Sequence, residues 1–306
     1  RDMVIRTLSG LHTNYGASPK LLSTLFRNLT SEGTAVGYLA QLQAYDWLMQ
    51  QGAQFEAEVS HSNTVRGRTI DLDGRIDALS RPVFFDIKSF GFEPDLRDIF
   101  QRRLEERFPG YNFTIDGPGN HGPDDVQREA FSQLRSHVAS LTTSDRLEIQ
   151  ALNWSVTKRA RAPGVQTAVH EYDPVKFIEE NWDVPLKNAS QFATDAPYIL
   201  FFTLPDGAGS SPIKINVFGF SEQLIAGIAG HLFGAGRSDQ RAANQFDKTV
   251  PVGMTVADVV ARLSALVLYS PQSKLTEIHL NCQAAAPISP KDAQSIAAGW
   301  KVVSYP

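Results

Sequence analysis

The sequence predicts an α/β fold, because helical patterns alternate along the chain with short runs typical of β-strands. Its composition is that of a globular protein, with 42% hydrophobic and 20% charged residues in a chain of 306. No internal repeat or low-complexity tract divides it, and its length is at the upper end for one domain. We therefore expect a single α/β domain over residues 1–306.

The first part of the chain contains two helical patterns followed by three strand-like runs. The helices are predicted at Leu21–Leu29 and Thr34–Gln51, and Gly52 after the second is a typical C-terminal stop. The runs rich in β-branched and aromatic residues predict strands at Phe55–Ser60, Thr69–Leu79 and Val83–Ser89.

The remaining chain continues the alternation. Helices are predicted at Pro94–Arg107 and at Val126–Val138, where apolar residues recur every four positions. Between them, Asp116–Asp125 holds three glycines and two prolines, which indicates a loop. Further strands are predicted at Leu147–Val156, Tyr198–Leu204, Lys214–Phe218 and Leu275–Leu280.

Cysteine usage, hydropathy and charge narrow the class of protein. The one cysteine, Cys282, cannot form an internal disulfide, so a cytoplasmic location is expected. No apolar run approaches the roughly 20 residues that span a bilayer, and no membrane association is expected. The net charge of −4 excludes a protein coated in positive charge, but a basic groove for nucleic acid is compatible with it.

Acidic residues are concentrated on two consecutive predicted strands. Side chains alternate between the faces of a strand, so Asp73 and Asp77 share one face of Thr69–Leu79. Asp86 and Lys88 likewise share one face of the next strand. Both strands therefore carry charged side chains on a single face.

The length of the hairpin loop decides whether these acids meet. A loop of two or four residues pairs Leu79 with Phe84 and therefore Asp77 with Asp86, about 5 Å apart at Cβ. A loop of three residues sends the two acids to opposite faces. We predict the first arrangement.

Two adjacent carboxylates repel each other, so they need a neutralising partner. Hard oxygen ligands favour Mg²⁺ or Mn²⁺ over softer metals. Lys88 is two residues from Asp86 on the same face, and its ammonium group can reach the same point. A divalent cation and a lysine beside carboxylates suit phosphodiester hydrolysis.

The segment from Asp77 to Lys88 resembles the signature of the PD-(D/E)XK, or restriction-endonuclease-like, nucleases. It consists of Asp77, a short turn, a hydrophobic strand and the triplet Asp86-Ile87-Lys88. The resemblance implies that Asp77 and Asp86 bind the metal, that the Ile87 carbonyl joins them and that Lys88 assists the attack. Asp73 is the alternative first acid. The fold implied is a restriction-endonuclease-like core at about 30–160, a central mixed β-sheet flanked by helices, with a C-terminal α/β elaboration at about 161–306.

The same resemblance implies a glutamate on the helix before these strands. At about 100° per residue, Gln41 falls in the middle of the apolar side of its helix, opposite Gln43, Asp46 and Gln50. Gln41 therefore stands where the glutamate is implied, without its charge. Three interpretations follow: a nuclease that works without this charge, an engineered Glu→Gln change that abolishes cleavage, or a core glutamine bonded to backbone.

We expect a Mg²⁺-dependent nuclease that hydrolyses phosphodiester bonds in DNA, and a role in restriction or defence is implied by the resemblance alone. The second hypothesis, favoured by Gln41, is a nucleic-acid-binding protein that keeps the nuclease fold without catalysis. The third is a structural or interaction protein whose acidic strand face is solvated. The C-terminal part is expected to supply DNA-reading surfaces, a homodimer interface or contact with a protein partner.

Overall fold

The computed structural model describes residues 2–29, 35–77, 81–89, 101, 104–116, 138–150, 154–161, 174–203, 220–270 and 275–306. Contacts within the chain group it into two compact units. The first comprises Arg1–Phe90, Tyr172–Ala208 and Ile215–Pro306, and the second comprises Gly91–Glu171 and Gly209–Lys214. These groupings do not test independent folding, so the organisation as one domain stays a prediction.

Helices and strands alternate through the described residues. The strands are β1 (Phe55–His61), β2 (Ile70–Ile76), β3 (Val83–Ser89), β4 (Tyr111–Asp116), β5 (Arg146–Ile149), β6 (Trp154–Ala160), β7 (Tyr198–Thr203), β8 (Ala265–Ser270), β9 (Leu275–Asn281) and β10 (Lys301–Tyr305). The α-helices are α1 (Asp2–Asn14), α2 (Pro19–Leu29), α3 (Ala35–Gln50), α4 (Pro174–Asn181), α5 (Phe220–Phe233), α6 (Val256–Val260) and α7 (Pro290–Ile296). None of the helices within the described residues is both long and apolar enough to cross a membrane.

A mixed seven-stranded sheet forms the centre of the first unit, in the order β1-β2-β3-β7-β8-β9-β10. The β1–β2, β2–β3 and β8–β9 pairs are antiparallel, whereas β3–β7, β7–β8 and β9–β10 are parallel. The predicted α/β class with a central mixed sheet flanked by helices is confirmed. Four of its strands lie after residue 197, so the C-terminal part of the chain contributes to the sheet itself.

Helices cover both faces of this sheet. Residues of α1, α2 and α3 pack with one face, in a core that includes Leu11, Leu25, Tyr45 and Phe85. Helix α5 lies against the opposite face, where the Tyr305 hydroxyl donates to the carbonyl of Ala226. Because it is paired on both sides and covered on both faces, β7 is buried at every position.

Helix α3 is more buried than its polar residues predict. Gln43 and Asp46, expected on a solvent-facing side, are 6% and 5% exposed. The reason is that α1 packs against this side of α3, where Arg6 Nε donates to Asp46 Oδ1 at 2.9 Å. Helix α1 therefore takes the place of solvent at this face. The helical pattern of α3 alone does not reveal this partner.

Several predicted elements agree with the structure to within one residue at each end. The strand Val83–Ser89 is confirmed with the same bounds, and α3 differs from the predicted helix by one residue at each end. The predicted strand Leu147–Val156 is wrong, because its residues belong to two antiparallel strands, β5 and β6. The predicted helices Pro94–Arg107 and Val126–Val138, the predicted loop Asp116–Asp125 and the predicted strand Lys214–Phe218 lie mostly or wholly outside the described residues.

The second unit contains a separate antiparallel sheet in the order β4-β6-β5. Phe113, Leu141 and Trp154 belong to its small buried core. The ammonium group of Lys158, a buried residue of β6, donates to the carbonyl of Leu141. Lys158 therefore has a structural partner, and it serves the packing of this unit.

Gly74 in β2 is the position where the sheet tolerates no side chain. A Cβ atom there would lie 2.3 Å from Phe85 Cζ and 2.8 Å from the Glu56 carbonyl oxygen. We expect Gly74→Ala to lower the free energy of unfolding by about 1–3 kcal/mol, because the Phe85 ring must move within a packed core. Urea unfolding measures this loss.

Gly230→Ala in α5 is the matched control, since its new Cβ would meet Tyr305 at an ordinary 3.8 Å. The control is expected to keep or raise stability, because alanine favours helix. Equal stability of the two variants would contradict the close packing of β2 against Phe85.

Candidate functional site

The register of β2 and β3 decides which acids meet. Gly74 lies opposite Phe85 and Ile76 opposite Val83. Continued by one residue, this register brings Asp73 opposite Asp86. The predicted pairing of Asp77 with Asp86 is wrong, because in this register β2 ends at Ile76 opposite Val83 and Asp77 lies beyond the paired residues.

Asp77 lies just beyond the end of β2, away from the acid pair. Its side chain is 58% exposed and forms an ion pair with Arg75, with 3.0 Å between Nε and Oδ1. An exposed ion pair of this kind contributes little to stability. Asp77 is therefore a surface residue at the start of the loop, and Asp73 takes its predicted position beside Asp86.

Asp73 and Asp86 are joined through their strands by two reciprocal hydrogen bonds. The backbone N–H of Asp73 donates to Asp86 Oδ1 at 3.1 Å, and the backbone N–H of Ile87 donates to Asp73 Oδ2 at 2.6 Å. At this point carboxylate oxygens accept the bonds that main-chain carbonyls accept in a regular ladder. Both carboxylates are thereby fixed at the junction of the two strands.

Helix α3 places an amide and a phenol against Asp73. Gln41 Nε2 donates to Asp73 Oδ1 at 2.7 Å and to the Tyr45 hydroxyl at 3.0 Å. The Tyr45 hydroxyl in turn donates to the backbone carbonyl of Asp73 at 2.5 Å. Gln41 and Tyr45 are four residues apart, so they lie on the same side of the helix. Gln41 is thus at the acid pair, where the sequence pattern predicts it.

Asp86 is held from the other side by β7 and by its own strand. Tyr198 donates its hydroxyl to Asp86 Oδ2 at 2.6 Å. Lys88 forms an ion pair with the same carboxylate, with 3.8 Å between Nζ and Oδ2. Asp86 is 2% exposed, so the hypothesis of a solvated acidic face fails for this residue.

Burial and charge act together on the ionisation of the pair. Burial, and next the neighbouring Asp86 carboxylate, raise the pKa of Asp73 to about 7, although Lys88 acts in the opposite direction. Burial also raises the pKa values of Tyr45 and Tyr198 well above their ordinary range. Both phenols therefore remain protonated donors at neutral pH.

Asp73 of the acid pair lines a cavity of about 640 Å³, whereas Asp86 is buried behind it. Residues of α3, β2, β3, β7 and a 3-10 helix at Val184–Gln191 form its wall. The lining comprises Gly37, Tyr38, Gln41, Asp73, Ile87, Lys88, Ser89, Val184, Lys187, Asn188 and Phe202. Such a volume is in the range of ligand-binding cavities, so the Asp73 carboxylate borders a space that can hold a small group.

The donor set fits a hard divalent cation. Each carboxylate oxygen has a second lone pair beyond the hydrogen bond it accepts here. Across the residues that the structure describes, no three His, Cys, Asp or Glu side chains are grouped to hold a metal. Mg²⁺ nevertheless binds to one or two carboxylates together with water and substrate phosphate. Asp73 and Asp86 are the two carboxylates that would take part in that mode of binding.

No protein-family model, curated protein or solved structure matches the chain. The chemistry of this site therefore has to be inferred from its own geometry and charge. The structure brings together Gln41, Asp73, Asp86 and Lys88, and it leaves Asp77 outside.

Four residues of the site are not singled out by the sequence pattern. Tyr198 begins an apolar run that is typical of a buried strand, and only its hydroxyl distinguishes it. Tyr45 follows Gln41 by one helical turn, which is a usable but weak indication of a shared partner. Lys187 and Asn188 belong to a segment distant in sequence from the acids, and nothing in its pattern links it to them.

The raised pKa of Asp73 predicts a specific pH dependence of stability. Between about pH 4 and pH 7 the folded protein holds a proton that the unfolded chain has released, so this group makes stability fall as pH rises. Asp73→Asn removes the titration. As the pH rises from about 4 to about 7, we expect the free energy of unfolding of the variant to increase relative to that of wild type by roughly 2–4 kcal/mol.

Chemical denaturation at several pH values, without divalent cations, measures the difference. Asp77→Asn is the control, because it makes the same substitution at an exposed position of the loop. The control is expected to follow the wild-type profile. A profile of Asp73→Asn parallel to wild type would contradict the electrostatic description of the pair.

Proposed function

We propose that the protein is a metal-dependent nuclease of the PD-(D/E)XK kind with a restriction-endonuclease-like core, and that its first acid is Asp73. The observation that carries the proposal is the junction of β2 and β3. There Asp73 and Asp86 exchange hydrogen bonds with the opposite strand, and Lys88 lies 3.8 Å from Asp86 at the cavity. The substrate proposed is DNA.

Asp73, Asp86 and the carbonyl of Ile87 are the groups that would hold Mg²⁺ or Mn²⁺. The bound cation supplies charge neutralisation at a phosphoryl oxygen and acidifies a water molecule. Ionised carboxylates are needed for this, and the raised pKa of Asp73 means that cation binding competes with a proton. Tyr198 and Gln41 keep the two carboxylates in place while the cation binds and leaves.

Lys88 has the position expected of a group that acts on the substrate. Its side chain is 27% exposed, so its ammonium group contacts both the cavity and Asp86. In the proposed hydrolysis a water oxygen bonds to phosphorus, the bond from phosphorus to the leaving oxygen breaks, and that oxygen takes up a proton. Lys88 orients the water or stabilises the negative charge that develops on the phosphoryl oxygens.

Gln41 favours a second function, that of a nucleic-acid-binding protein without catalysis. Its amide donates to Asp73, and so it partly satisfies the acid pair without a metal. A glutamate at this position would instead add a third carboxylate, which strengthens cation binding. The two hypotheses therefore make different predictions about the effect of a negative charge at position 41 on cation binding.

The decisive variants are Gln41→Glu, Asp73→Asn and Asp77→Asn, assayed with linear and circular DNA in Mg²⁺ or Mn²⁺. We expect Gln41→Glu to cleave DNA at least as fast as wild type. In that background, Asp73→Asn should lower the rate at least about 100-fold, because it removes a metal ligand. The Asp77→Asn control should leave the rate within about twofold, since Asp77 is outside the site.

Each result separates the hypotheses. Cleavage that depends on Asp73 and not on Asp77 supports the nuclease with the first acid assigned here. Retention of DNA without cleavage by both wild type and Gln41→Glu overturns the nuclease and supports the binding protein. Cleavage lost in Asp77→Asn and kept in Asp73→Asn overturns the assignment of the first acid.

A further inference from the structure

One wall of the cavity is the 3-10 helix Val184–Gln191. Its apolar and small residues Pro185, Leu186 and Ala189 are buried, whereas Val184, Lys187 and Asn188 line the cavity. Val184 and Lys187 are three residues apart, which is one turn of a 3-10 helix, so both are on the same side. The segment therefore has a buried side that anchors it and a polar side at the acid pair.

This wall is fixed to the body of the first unit by backbone hydrogen bonds. The Arg66 N–H donates to the Ser190 carbonyl at 3.0 Å, and the Val65 N–H donates to the Phe192 carbonyl at 2.9 Å. The Ser190 N–H donates to Asp247 Oδ2 at 2.9 Å. Lys187 and Asn188 are thus presented to the cavity from an anchored element.

Lys187 is the cation of this cavity that has no partner within the described part of the chain. Lys88 is paired with Asp86, whereas Lys187 is exposed and forms no hydrogen bond or ion pair with a described residue. The amide of Asn188 is next to it and half-buried. An ammonium group and an amide donor together are suited to a phosphate oxygen.

We propose that Lys187 and Asn188 bind a phosphate of the nucleic-acid strand adjacent to the one attacked at the acid pair. This rests on the proposed nuclease function. The acid pair and Lys88 act on the scissile phosphate, while the wall formed by the 3-10 helix in the same cavity holds the neighbouring phosphate and sets the register of the strand. Lys187 is then a substrate-binding residue that acts on affinity.

The test compares Lys187→Ala with Lys291→Ala, an exposed lysine of α7 that does not line the cavity. Binding of fluorescent single- and double-stranded DNA is measured by anisotropy at several salt concentrations. We expect Lys187→Ala to weaken binding roughly tenfold, as for a lost charged hydrogen bond. The slope of log K against log salt should fall by about 0.7–0.9, which is one phosphate contact.

Three readouts separate this contact from a structural role of Lys187. Lys187→Arg should restore most of the affinity, and the circular dichroism of both variants should match wild type. In cleavage assays in the Gln41→Glu background, Lys187→Ala should raise KM and leave kcat within about twofold. Lys291→Ala should change neither affinity nor slope.

The outcomes also separate this inference from the proposed function. If the protein cleaves DNA and Lys187→Ala binds and cleaves like its parent, the phosphate contact is overturned while the nuclease stands. Equal losses in Lys187→Ala and Lys291→Ala overturn it as well, since they indicate diffuse electrostatics. A protein that neither binds nor cleaves DNA overturns the function and the contact together.

Discussion

The site depends on one interaction, an exchange of hydrogen bonds in which one acid of β2 and one acid of β3 each accept from the backbone of the other strand. Asp73 accepts from the Ile87 N–H, and Asp86 accepts from the Asp73 N–H. Because side-chain oxygens take up these donors, the two carboxylates are held together despite their like charge. Burial and the neighbouring Asp86 carboxylate raise the pKa of Asp73 to about 7.

The rest of the fold serves to stabilise this junction. β3 lies between the antiparallel β2 and the parallel β7, so Asp86 is reached by Tyr198 from the neighbouring strand. Helix α3 packs against one face of the sheet and brings Gln41 and Tyr45 to Asp73. Residues far apart in sequence thereby supply the donors that a buried carboxylate pair requires.

Part of this arrangement could be predicted because it depends on local periodicity. The alternation of side chains in Val83–Ser89 places Asp86 and Lys88 on the same face, and the helical pattern of α3 singles out Gln41 as polar on an apolar side. The register of β2 against β3 could not be predicted. It depends on how the chain connects β2 to β3 between Asp77 and Pro82. A shift of the register by an even number of residues keeps every side chain on its face. Asp73 and Asp77 were therefore equivalent by pattern, and only the structure separates them. The wall at Val184–Gln191 is brought to the site by tertiary packing, which no local pattern encodes.

The charge of the site depends on residue 41, because the amide of Gln41 donates to Asp73 without adding a third carboxylate. The central claim is that Asp73 and Asp86 nevertheless share one divalent cation. Anomalous scattering from a crystal soaked in millimolar Mn²⁺ tests it most directly. The account predicts a peak about 2.1 Å from a carboxylate oxygen of each of these two acids. A crystal with no peak at the β2–β3 junction, or with its peak at Asp77 instead, would contradict it.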